Sequence, residues 1–178
     1  MEHRKLIGLV SAALAAGLLV FAAFSNAWII GEDYDGTRSN VGLRSVDICV
    51  EGSSCTNVSL ESWSKSAFAP KGLSTFQTLG TISLGLSFAL ALSMLILIGY
   101  GVADKVPYWP VHPGSLALLL SVGVLVVGVL TLALHPFKTS GWGTGPGFLV
   151  LAAGDVAALA AALILGKSEP AREEDWFE

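Results

Sequence analysis

Charged residues are scarce in this chain, and their balance excludes one class of partner. Of 178 residues, 13% are charged and 53% are hydrophobic, whereas a soluble domain carries about a quarter charged residues. The ten Lys and Arg residues are outnumbered by fourteen Asp and Glu. We find no basic patch of the kind that neutralises phosphates, so nucleic acid is not an expected partner. The composition indicates an integral membrane protein, and the mean hydropathy of +0.67 agrees.

Cysteine is almost absent, which limits the chemistry available. Cys49 and Cys55 are six positions apart, a spacing that fits neither a CxxC redox pair nor a four-ligand zinc site. Membrane enzymes with four helices that generate disulfides use two cysteine pairs, and this chain has one. We therefore predict no enzymatic activity and no cofactor. A disulfide that staples a loop in an oxidising compartment is the better interpretation.

What the sequence does have is long apolar runs. Four nearly uncharged runs cover residues 6–30, 73–102, 114–134 and 147–166. Each is long enough to cross a hydrocarbon core of roughly 30 Å at about 1.5 Å per residue. With short connections between them, they predict one domain. The expected fold is an all-α membrane protein, a bundle of four transmembrane helices with a small disulfide-stapled extracellular β-sheet.

The distribution of positive residues predicts the orientation in the membrane, because Lys and Arg beside the spans favour the cytoplasmic side. One side would carry Arg4, Lys5, Lys105, Lys167 and Arg172, and the other only Lys71 and Lys138 next to the spans. We therefore expect a multi-pass protein of the cell membrane with both termini cytoplasmic. Residues 31–71 and 135–146 would form the first and second extracellular loops, and residues 167–178 a cytoplasmic tail.

The first loop has the alternation of a β-strand. Apolar residues recur at roughly every second position from Val41 to Val50, and turn residues follow at positions 51–54. This pattern predicts two strands joined by a turn. A disulfide between Cys49 and Cys55 would pin the strands at that turn, with a stabilisation of about 2 kcal/mol in the chain-entropy model.

Small and aromatic residues mark the expected helix contacts and membrane boundaries. Gly8, Ala12 and Ala16 in the first run, and Ser83, Ser87 and Ala91 in the second, form stripes that suit close helix packing. The aromatic residues near the ends of the runs are expected to anchor the chain at the lipid headgroups. They are Trp28, Tyr108, Trp109 and Trp142.

Asp155 is the ionisable residue that lies deep in an apolar run. A charged aspartate at the bilayer centre costs on the order of 2.5–3.5 kcal/mol, so a partner is expected. Counting depth from the helix ends places Thr81, Ser83 and Thr131 near its level. Three interpretations remain open: a protonated carboxyl that bonds a hydroxyl or a carbonyl, a contact with a basic residue on a partner's membrane helix, or a proton or cation site.

Several of these residues together resemble the claudin and peripheral-myelin-protein superfamily of tetraspan proteins. The family hallmark is a Trp, then Gly-Leu-Trp, then two cysteines, and Trp28, Gly42, Leu43, Cys49 and Cys55 match it. Arg44 stands where the family has its second Trp, and the two cysteines are closer together than is usual. The departures fit a remote relative, for example a bacterial one.

The resemblance implies an extracellular sheet, built from the first loop with a contribution from the second, that rests on a four-helix bundle. It also implies a function through contacts with other membrane proteins and with membrane lipid. The leading expectation is a non-enzymatic accessory or structural subunit of a membrane complex. The alternatives are a self-assembling barrier or paracellular-type ion pore, and an ion or small-solute transporter that uses Asp155.

Overall fold

Four long helices dominate the fold. In the computed structural model, which describes residues 2–32, 36–50, 54–67, 69–103, 112–137 and 141–166, all four are long and apolar enough to span a membrane. They are α1 (Glu2–Phe24), α3 (Leu73–Ala103), α4 (Pro113–Ala133) and α5 (Pro146–Leu165), and a fifth, short helix is α2 (Leu60–Ser64). The prediction of four long apolar helices is confirmed.

The first apolar run is not one helix. The helices α3, α4 and α5 begin and end within one residue of the predicted runs, but α1 ends at Phe24 rather than at residue 30. The polar residues Ser25 and Asn26 interrupt the helix, and Trp28 then enters the sheet region, where its N–H donates to the carbonyl of Val41 at 2.9 Å. A short apolar stretch that forms a strand has the same composition as a helix end, so hydropathy alone could not separate them.

Small residues let the helices approach closely. Helix α1 packs against α3 and α5, and α4 packs against the same two neighbours. A Cβ atom at Gly154 in α5 would lie 3.0 Å from Cβ of Leu18 in α1, and one at Gly8 would lie 2.8 Å from the Leu165 side chain. Close approach of this kind holds helices together in lipid. The two predicted stripes, Gly8 to Ala16 and Ser83 to Ala91, are buried as expected.

A five-stranded antiparallel sheet lies at one end of the bundle, referred to below as the sheet end. Its strands are β1 (Ile29–Glu32), β2 (Arg38–Val41), β3 (Ser45–Cys49), β4 (Thr56–Ser59) and β5 (Trp142–Thr144), in the spatial order β4-β3-β2-β1-β5. The predicted hairpin is present as β3 and β4, and the Cys49–Cys55 disulfide joins them. Its first strand is shorter than predicted, because β2 ends at Val41 and the N–H of Gly42 closes a turn onto Ser45, where β3 begins. The other three strands were not predicted individually, although a contribution from the second loop was expected and β5 supplies it.

Register places one row of apolar side chains on the buried face of the sheet. Ile29 pairs with Val41, Val41 with Val46, and Val46 with Val58, so these four share a face. Apart from the half-buried Val58, they belong to an apolar cluster between the sheet and the outer turns of α3 and α4. A second, larger cluster fills the four-helix bundle. The sheet is therefore packed against the bundle rather than tethered to it by loops.

Candidate functional site

Trp28 connects the sheet to the bundle. Its side chain is completely buried, and its indole N–H donates to the carbonyl of Ala22 at 2.7 Å. That carbonyl, in the last turn of α1, also accepts from the N–H of Ser25 at 3.2 Å. Its own carbonyl accepts from the N–H of Gly145 at 2.8 Å, just before α5. The expectation that Trp28 anchors the chain at the lipid headgroups is wrong, because the indole faces the protein interior.

The turn between β2 and β3 inserts into the same junction. A Cβ atom at Gly42 would lie 2.8 Å from Cα of Asn26, so only glycine lets the turn approach α1 this closely. Leu43 is 2% exposed and belongs to the apolar core of the bundle. Trp28, Gly42 and Leu43 are thus brought together at the sheet end. Cys49 lies six residues after Leu43, at the end of β3, and its disulfide partner Cys55 comes just before β4. Arg44, the next residue in the turn, is exposed.

Trp142 packs in an aromatic stack at the sheet end. Its ring stacks on Phe137 with centroids 4.5 Å apart, and Trp63 stacks on the same Phe137 at 5.7 Å. A Cβ atom at Gly31 would overlap the Trp142 ring, so the indole rests directly on the backbone of β1. The stack fastens β5 and α2 to the end of α4. Trp142 therefore has a structural role and is half-buried, and its place at the lipid headgroups stays a prediction; Tyr108 and Trp109, two further predicted anchors, lie outside the described residues.

Asp155 is completely buried, and its partner is a residue that depth counting missed. The hydroxyl of Ser121 in α4 donates to Asp155 Oδ1 at 2.7 Å, while Oδ2 has no hydrogen-bond partner among the described residues. Ser121 is also completely buried. The sequence signal that could have found it is a serine in the middle of an otherwise apolar run.

The three residues that were predicted to lie at the level of Asp155 form no hydrogen bond with it in the described part of the chain. Thr81 is exposed and donates to the carbonyl of Gln77 within its own helix at 2.9 Å, and Thr131 donates to that of Val127 at 2.8 Å. Ser83 is buried, and its hydroxyl has no partner in the described part of the chain. Counting depth from helix ends failed in α3 because that helix has 31 residues and α5 has 20, so equal distances from their ends are not equal depths. Thr131 is two residues from the end of α4, whereas Asp155 is in the middle of α5. Burial also means that Asp155 cannot reach a neighbouring protein's membrane helix in this conformation.

The outer face of the sheet is polar and hydrogen-bonded. Asp47 accepts from the side-chain amide of Asn26 at 3.2 Å and from that of Asn57, and Asn26 Oδ1 accepts from the Ser45 hydroxyl at 3.1 Å. These bonds tie the end of α1 to β3 and β4. They leave the carboxylate of Asp47 engaged on both oxygens.

Two exposed ion pairs flank this face. Arg38 contacts Glu32 at 3.2 Å between β2 and β1, and Lys65 contacts Glu61 at 2.7 Å beside α2. The hydrogen bond and the charge of Lys65 lower the pKa of the Glu61 carboxyl from its ordinary value. Exposed pairs of this kind contribute little to stability. The fold therefore depends little on these two pairs.

The fold and these sites define a class: a multi-pass membrane protein of four apolar helices with a small disulfide-bonded sheet packed on one end. A comparison with protein-family models and with curated proteins finds no match to this chain. The claudin-like relationship therefore stays a prediction from the motif residues.

Proposed function

We propose that this chain is a non-enzymatic, claudin-like integral membrane protein that acts through protein–protein contacts, as an accessory or structural subunit of a larger membrane complex. It would lie in the cell membrane with both termini cytoplasmic and the sheet outside. The observation that carries the proposal is the rigid seating of the sheet. Trp28, Leu43 and the stack around Phe137 fix it to the bundle, as a recognition surface requires and a passive loop does not.

The edge of the sheet at β4 is the contact surface that the architecture favours. Strand β4 is at the edge in the order β4-β3-β2-β1-β5, so one side of its backbone is not used by a neighbour in the sheet. Its residues Thr56, Asn57 and Ser59 are exposed. An edge strand of this kind is a template on which another chain can add a strand. The disulfide beside it holds the register of the β3–β4 hairpin.

Purification from native membranes in mild detergent tests the proposal. A tagged copy should elute as a particle larger than the single chain, with a different protein in stoichiometric amount. Asn57→Pro, which removes a backbone N–H from β4, should reduce that co-purification. Ser54→Pro, at an exposed position outside the strands of the same hairpin, is the matched control. A single chain with only lipid and detergent would contradict the proposal.

The same experiment also detects self-assembly. A ladder of multiples of the chain mass, without another protein, would favour the barrier or paracellular-type pore over the accessory subunit. Mixing two differently tagged copies in one cell separates these cases, because only a self-assembling protein would retain both tags. The accessory-subunit proposal fails if both tags are recovered and no other protein is present.

A transporter is the alternative from a different class, and one observation favours it. Asp155 offers a completely buried carboxylate oxygen without a hydrogen-bond partner in the described part of the bundle, and Ser83 offers a buried hydroxyl in the same state. Buried ionisable groups in membrane helices often mark proton or ion pathways. Protein reconstituted in liposomes would then carry a flux that Asp155→Asn removes. Flux no greater than in empty liposomes at any pH would exclude the transporter.

A further inference from the structure

A cleft lies where α1 ends and the β2–β3 turn meets it. It has a volume of about 220 Å³ and is lined by residues 23–26 and 43–45. Three of the lining residues are apolar, Ala23, Phe24 and Leu43, and four are polar or charged, Ser25, Asn26, Arg44 and Ser45. The cleft thus combines an apolar half with a polar, cationic half.

The position of the cleft matches the boundary between the apolar bundle and the polar sheet. Phe24, the last residue of α1, is 60% exposed and makes an edge-to-face contact at 5.6 Å with Phe88 of α3, which is 37% exposed. Above them, Leu43 is buried in the bundle core. Exposed Phe24 and exposed Arg44 line the same cleft. A change from apolar to cationic surface over so short a distance is typical of the level of the lipid headgroups.

Arg44 is the group in the cleft that can bind an anion. Its side chain is exposed and makes no hydrogen bond or ion pair within the described chain, in contrast to Arg38, which is paired with Glu32. A guanidinium presents a planar fork of N–H donors that matches the oxygens of a phosphate. The neighbouring Asn26 is already bonded to Ser45 and Asp47, so it shapes the cleft while Arg44 supplies the charge.

Asp47 lies close to the cleft but does not pair with Arg44 in the described part of the chain. It is not among the residues that line the cleft, and both of its carboxylate oxygens accept hydrogen bonds, from Asn26 and Asn57. Arg44 is therefore the charged residue among those that line the cleft.

We propose that this cleft binds a phospholipid of the leaflet on the sheet side, with its phosphate on the guanidinium of Arg44 and its acyl chain along Phe24 and Phe88. A phospholipid is the occupant that uses both halves of the cleft, since free phosphate would leave the apolar wall without a function. The site does not depend on any protein partner.

Native mass spectrometry of the detergent-purified chain, titrated with phosphatidylglycerol, tests the proposal. Wild-type protein should retain one lipid, and Arg44→Gln should weaken retention about tenfold or more, the expected effect of losing a hydrogen bond to a charged group. Arg44→Lys should be intermediate, because an ammonium is a point charge without the planar fork. Arg38→Gln, on the same sheet but away from the cleft, is the matched control and should leave retention unchanged.

Two further measurements test whether the cleft binds a lipid or free phosphate, and whether a variant still folds. Phe24→Ala should weaken lipid retention without changing the melting temperature greatly, since Phe24 is exposed. Inorganic phosphate at millimolar concentration should not displace the lipid. Equal retention by wild type and Arg44→Gln would overturn the proposal, and so would displacement by inorganic phosphate, which would make the cleft a site for free anions.

Discussion

Two single residues, Asp155 and Ser121, form a buried hydrogen bond between α5 and α4. Asp155→Asn keeps a side chain of the same size that can bond the Ser121 hydroxyl, whereas Asp155→Leu removes the partner and leaves that hydroxyl in an apolar core. We expect Asn to unfold close to wild type and Leu to lose about 1 kcal/mol, the scale of hydrogen bonds between membrane helices. Unfolding in detergent with increasing denaturant measures both.

The double variant shows whether the loss comes from the contact itself. Asp155→Leu with Ser121→Ala removes both partners, so part of the loss should be recovered, as a double-mutant cycle reports. If Asn is as damaging as Leu, the carboxyl has a role that an amide cannot fill, and the hydrogen bond is not the main interaction of Asp155.

Asp155 and Trp28 show which side-chain contacts could not be predicted from the sequence. The sequence predicted that Asp155 needs a partner, because burial of a polar group in lipid is costly, but it could not choose Ser121 over Thr131 without the tilt and stagger of the helices. Trp28 is a similar case. A tryptophan at the end of an apolar run is equally consistent with a headgroup anchor and with a buried donor, and only the path of the chain after Phe24 separates them.

At the scale of elements, the β3–β4 hairpin depends on the Cys49–Cys55 disulfide more than the bundle does. Replacing both cysteines with serine should increase hydrogen exchange in residues 45–49 and 56–59 and leave the four helices protected. The expected loss is about 2 kcal/mol, by the chain-entropy model for a short closed loop. Mass spectrometry of exchanged peptides, with the reduced wild-type protein as the matched control, measures the effect.

Two results would contradict that account of the hairpin. Free, reactive thiols in the native protein would remove the disulfide, and exchange that rises equally in the helices would show that the hairpin and the bundle unfold together. The apolar row through Val41 and Val46 argues for the local outcome, since it continues to hold the central strands to α3 after the disulfide is lost.

The elements differ in how far the sequence could predict them. The long helices follow from length and hydropathy, and the hairpin follows from alternation and two cysteines. Strands β1, β2 and β5 are only three or four residues long, and they form because Trp28, Gly31 and Trp142 bring distant segments into register. Such pairing depends on tertiary contacts that no local pattern encodes.

For the whole molecule, the proposed topology of four spans predicts that the start of α1 and the end of α5 lie on one side of the membrane and the sheet on the other. The positive residues Arg4 and Lys5 at the start of α1 favour a cytoplasmic N-terminus, and a disulfide requires an oxidising compartment at the sheet end. In a variant without the two native cysteines, Ser62→Cys in α2 and His3→Cys in α1 both offer exposed positions. A membrane-impermeant maleimide should label Ser62→Cys in intact cells and His3→Cys only after permeabilisation.

The opposite labelling pattern would invert the molecule and place Arg44 in the cytoplasmic leaflet. Labelling of both positions in intact cells would show that α1 does not cross the membrane, because α1 is the candidate span that separates them. The predicted pattern instead puts the edge strand β4, the disulfide and the Arg44 cleft on the same external side. A partner that binds β4 would then contact the chain beside the bound lipid, because both sites are part of one sheet seated on one bundle.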